Sequence, residues 1–165
     1  MLDKQLLEEL KEFVQFQLKD FVFYAETSDN MVLNSNMIIE PSDLDEFIKT
    51  NLKPTLKDVL FSFIDEKGCS DAEIYKRAAI DRRHFSKIRS NPRYQPRKTT
   101  IVALALALQL DRKETDKLLS SAGFSLSNSD TYDLVIQFCI ERKIYDVNQV
   151  NHALDHFKLR PLTGA

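Results

Sequence analysis

Glycine and proline are scarce: the 165 residues hold three of the first and five of the second. Sandwiches and barrels draw on many turn glycines, so the shortage points to an all-α chain. There is no tryptophan, and the two cysteines, Cys69 and Cys139, have neither metal-ligand spacing nor a disulfide pattern. Free thiols in a reducing, cytoplasmic compartment are expected. No apolar run approaches the roughly 20 residues that span a bilayer. The longest, Ile101–Leu108, falls far short. The opening stretch MLDKQLLEELKEF lacks the basic and apolar regions of a signal peptide. A membrane is therefore not an expected partner. A net charge of −2 gives no global attraction to nucleic acid, so any attraction has to come from a local patch.

Catalytic signatures are lacking too. No phosphate-binding glycine loop occurs, and no carboxylate pair sits where acid–base chemistry would place one. His152 and His156 have i, i+4 spacing, but no H-E-x-x-H pattern surrounds them and Asp155 points off their shared face. A surface pair is expected rather than a metal site. Cys69 is read as an incidental thiol. Neither enzyme activity, cofactor nor metal is expected.

What the chain has in abundance is helical periodicity. In residues 2–24, Leu6, Leu10, Phe13, Leu18, Phe21 and Val22 recur at close to i, i+4, i+7, which predicts an amphipathic helix. Residues 26–54 read as a connector with a short strand-like Met37-Ile38-Ile39 and a short helix capped by Ser42 and broken by Pro54. From 55 to 160 the pattern is dense. Caps are expected at Thr55, Ser70, Asp81, Asp111, Ser127 or Ser129, and Asp146, with stops at Gly68, Asn91-Pro92 and Gly123. Thr99–Leu110 is apolar on nearly every side, as a central buried helix is. Three segments result: 1–25, a helix for packing or dimerisation; 26–54, the connector; and 55–160, a compact domain.

The informative stretch is SDAEIYKRAAIDRRHFSKIRS. Ile74 and Ala78 face inward on a short helix, Ile80 plugs a turn, and Phe85 and Ile88 anchor a second helix. Arg82, Arg83, His84, Ser86, Lys87 and Arg89 are left facing out, as hydrogen-bond donors that meet base edges and phosphates do. A helix-turn-helix needs this spacing.

On Ser70–Ile74, Ala78–Asp81, Phe85–Arg89, Gln95-Pro96 and Ile101–Leu110, residues 56–122 resemble the lambda-repressor-like (Cro/C1-type, XRE) helix-turn-helix family. The resemblance implies such a bundle, here with two extra C-terminal helices and the N-terminal amphipathic helix. It also implies a transcriptional regulator of bacterial or phage type that docks its 81–90 helix in the major groove of double-stranded DNA. Bases would be read by Arg82, Arg83, His84, Ser86 and Lys87. Phosphates would be held by Ser70, Lys76, Arg89, Arg93, Tyr94, Arg97 and Lys98. Three positions depart from the pattern: Ala79 stands at the usual turn glycine, Asp71 at a frequent glutamine, and Asp81 at a Ser or Thr cap.

The charge distribution agrees with the resemblance. Between Ile74 and Thr100 nine basic residues face a single acid, Asp81, so this stretch carries +8 and the remainder about −10. Such segregation turns one basic face toward DNA and an acidic body away from it. The N-terminal stripe of Leu6, Leu10, Phe13 and Phe21 either folds back on the domain or meets its twin in a homodimer. The alternative use of the same fold is a non-enzymatic interaction module, an adaptor or antitoxin-like protein with a protein partner.

Overall fold

In the computed structural model, residues 3–25 and 38–163 are described, the side chains of 18–25 excepted. Among these residues the secondary structure is all helix: α1 (Lys4–Ala25), α2 (Pro41–Asn51), α3 (Leu56–Lys67), α4 (Asp71–Arg77), α5 (Arg82–Ser90), α6 (Lys98–Ala107), α7 (Arg112–Ser121), α8 (Thr131–Glu141) and α9 (Val147–His156).

Short polar side chains start most of them. Thr55, Ser70 and Asp111 form reciprocal capping boxes with Asp58, Glu73 and Glu114, satisfying amides that the first helical turn leaves unpaired. Asp81 and Asp146 cap α5 and α9. Two expected starts are corrected. α2 begins at Pro41 rather than after Ser42, because proline has the φ of a first helical residue and loses no bond there. α8 is capped by Asp130, while the Ser127 and Ser129 hydroxyls bond each other. α6 is shorter than its apolar run, since Gln109 turns into the left-handed region at φ 54. Ile38 and Ile39 form no strand and are exposed; Met37 lies outside the described residues.

α6 is the axle of the domain. Thr100 through Leu108 are all buried, and α4, α7 and α9 pack around them. α3 lies on α7, and α8 on α7 and α9. Burying a single Leu or Ile contributes about 1.5–3 kcal/mol, so a fully buried helix is the main source of stability.

α1 packs on α8. Leu10 and Val14 are buried, Phe13 meets Phe138 at 5.8 Å between ring centroids, and Glu9 pairs with Arg142 at 2.5 Å. Leu10 is buried and Leu6 and Phe13 are partly buried against the core, so the described part of the stripe folds back on the domain, the first of its two expected placements. The Phe21 side chain lies outside the described residues. α2 is the opposite case and buries nothing. No helix among the described residues is long and apolar enough to cross a membrane.

Candidate nucleic-acid interface

The candidate site is built on α4, α5 and the loop to α6. Ile74 and Ala78 are completely buried, and at Ala78 only a small side chain allows α4 so close to its neighbours. The chain leaves α4 through Ala79 at φ 55, the left-handed region that side chains disfavour by about 1–2 kcal/mol. The Ile80 amide then donates to the Tyr75 carbonyl at 2.9 Å, and its side chain plugs the turn. The turn is braced from far along the chain: the Thr163 hydroxyl donates to the Ala78 carbonyl at 2.6 Å, and Asn151 bonds the backbone of Leu162 and Thr163.

The Asp81 carboxylate accepts from the Arg83 amide at 3.1 Å and starts α5. Phe85 and Ile88 hold α5 to the body, the Phe85 ring lying 5.9 Å from both Phe61 and Tyr75. Arg82, Arg83, Ser86 and Lys87 stand on the exposed side of this nine-residue helix. No ion pair engages Arg82, Arg83 or Lys87 within the described residues. His84 is half-buried instead, its Nε2 2.9 Å from the Tyr94 hydroxyl, and Lys87 lies over the Tyr94 ring at 4.4 Å. Tyr94 thereby ties the loop to α5.

The loop has its own supports. Asn91 accepts from the Arg93 amide, Pro96 is buried, and Gln95 donates to the Ala122 carbonyl at 2.7 Å. Arg93 and Arg97 project from it into solvent, as Lys76 does from α4.

Four members of the expected phosphate set are differently placed: Tyr94, half-buried and bonded to His84, and three more. Lys98 Nζ sits 2.6 Å from Asp133 Oδ2, and that carboxylate also accepts from the Ser127 amide while 1% exposed. Removing a lysine from such a pair leaves a buried charge uncompensated, so Lys98 is structural. Arg89 pairs with Asp71 and lies 4.8 Å over the Phe61 ring, which fastens α5 to α3 and α4. The Ser70 hydroxyl is the α4 cap. The two ion pairs do not follow from local pattern, because Asp133 is 35 residues from Lys98 and Asp71 is 18 from Arg89. Asp71 did signal itself, as an acid where the resemblance expects glutamine.

Among the described residues no group of three His, Cys, Asp or Glu side chains is placed to hold a metal. His156 rests edge-on against Phe157. Burial pushes the Cys139 thiol up to about 12, so it stays protonated and unreactive, while Cys69 is half-exposed. What the site assembles is a cationic, hydrogen-bond-donating helix face with a flanking cationic loop. Comparison with known proteins gives no matching family model, no matching curated protein and no matching solved structure.

Proposed function

We propose that this protein binds double-stranded DNA as a helix-turn-helix regulator of lambda-repressor-like type, with α5 lying in the major groove. One observation carries the reading: α5 buries Phe85 and Ile88 and turns Arg82, Arg83, Ser86 and Lys87 outward, inside a stretch where, with Arg89 and Lys98 paired, seven further basic residues face one acid. An exposed helix about 10–12 Å across with its side chains fits a major groove about 12 Å wide. Arg82, Arg83, Ser86 and Lys87 are the base-reading candidates, and Arg93, Arg97 and Lys76 hold phosphates on either side. His84 sets the position of Tyr94 instead of reaching a base. Backbone attraction outweighs base readout in this reading, because Ala79, Asp71 and Asp81 depart from the family pattern where bases would be read.

The test is a fluorescence-anisotropy titration of the full chain against random duplex at two salt concentrations. With about five phosphates neutralised, log affinity falls against log salt with a slope of about −4 to −5. Absence of binding at low salt, or binding indifferent to Arg82→Ala with Arg83→Ala, sinks the reading in favour of an interaction module.

A further inference from the structure

α2 folds as a helix of 11 residues without burying a single side chain. Leu44, Phe47 and Ile48 form one stripe on it, and Leu52 continues the stripe past its end, at 49%, 65%, 48% and 79% exposure. Ile38 and Ile39 are exposed just before it, so one short segment carries every large exposed hydrophobic of the described residues except Phe16. A contiguous apolar surface of this kind marks an interaction site.

The charges on α2 indicate its occupant. Acids crowd the first half, at Glu40, Asp43, Asp45 and Glu46, and Lys49 and Lys53 follow. None of them joins an ion pair within the described residues. Asp45 and Lys49, four residues apart, flank the stripe on one side. Laid antiparallel against itself, α2 sets Asp45 of one copy beside Lys49 of the other, twice, and the two helix dipoles oppose. A second copy of α2 offers the stripe both a matching apolar face and the complementary charges. Such an isologous two-fold contact is the commonest form of self-association.

We infer that α2 is the homodimer contact, pairing antiparallel with α2 of a second copy. An 11-residue helix is about 16 Å long, and a pair of them buries less than the roughly 800 Å² per partner of a standard interface. The contact is therefore smaller than a standard interface, and its exposed charge pairs make it sensitive to salt. The contact lies near the candidate DNA face, since Leu52 and Pro54 share a groove of about 270 Å³ with Pro92, Arg93 and Tyr94. Two-fold pairing at α2 places two loops of this kind in one particle, although the inference does not rest on DNA binding.

Sedimentation equilibrium of the full chain over a concentration series tests it. The mass is expected to rise from 19.1 kDa toward twice that value. Phe47→Glu abolishes the rise with an unchanged circular-dichroism spectrum and melting point, because the side chain touches no core. Asp45→Lys and Lys49→Asp each weaken the dimer at least about tenfold, and the two together restore it. A mass of 19.1 kDa at every concentration overturns the inference. So does a dimer indifferent to Phe47→Glu, or a stripe covered only by a different protein.

Discussion

At the α4–α5 junction the chain runs through Ala78, Ala79, Ile80 and Asp81; at the α6–α7 junction it runs through Leu108, Gln109, Leu110 and Asp111. In both, the second residue is left-handed, at φ 55 and φ 54. In both, the amide of the buried aliphatic residue reaches back to a carbonyl five residues earlier, at 2.9 and 3.1 Å, and an aspartate caps the next helix. Each of those helices then opens with two cations, Arg82-Arg83 and Arg112-Lys113. The surroundings differ. α5 has no acid of its own, and its two arginines make no ion pair among the described residues. α7 carries Glu114 and Asp116, and Arg112 bonds Asp116 at 3.2 Å. The turn is thus a general way of ending a helix on a plug residue. What singles out the first junction is a charged face left unneutralised.

This matched pair is easily broken. Arg82→Ala with Arg83→Ala should cost about 2–4 kcal/mol of duplex affinity, while Arg112→Ala with Lys113→Ala changes it little. Equal losses in a side-by-side titration would erase the distinction. The plugs come next. Leu110→Ala should lower stability by about 3 kcal/mol and Ile80→Ala by about 2 in urea unfolding, since Leu110 is fully enclosed and Ile80 remains 8% exposed. The reverse order would mean that the first turn is the tighter one.

The caps give smaller effects. Asp111→Ala removes a reciprocal box and should cost about 1–2 kcal/mol, Asp81→Ala about 1 or less. Asp81→Asn keeps a capping oxygen and removes the charge, so duplex binding should tighten a few-fold, whereas Asp111→Asn leaves it alone. Smallest are the left-handed positions. Ala79→Gly and Gln109→Gly should each raise the melting point slightly, by about 0.5–1 kcal/mol of stability, because glycine removes the side-chain strain. A fall at Ala79 alone would show that its methyl group packs in the turn.

Much of the domain was legible because its information is local. Thr55, Ser70, Asp81, Asp111 and Asp146 stand next to the helices they start, and Ile74, Ala78, Phe85 and Ile88 follow the 3.6-residue period into the core. The errors have the same origin. Ser42 fits a cap pattern, yet Pro41 pre-sets the backbone one residue earlier. Lys98 and Arg89 belong to the basic run by sequence, but their partners Asp133 and Asp71 come close only through folding. The stripe on α1 was equally suited to α8 or to a twin, and periodicity does not choose between two apolar partners. That α2 keeps its own stripe exposed is likewise a fact of tertiary packing.

The central claim, that the α5 face and its loop form a cationic nucleic-acid surface, meets its most direct test in the salt dependence of duplex binding. Anisotropy of the full chain on random duplex across a salt series should give a log–log slope of about −4 to −5. Removing Arg82 and Arg83 should weaken binding and flatten that slope, and removing Arg112 and Lys113 should do neither. No binding at the lowest salt, or one common slope for all three proteins, would contradict the claim.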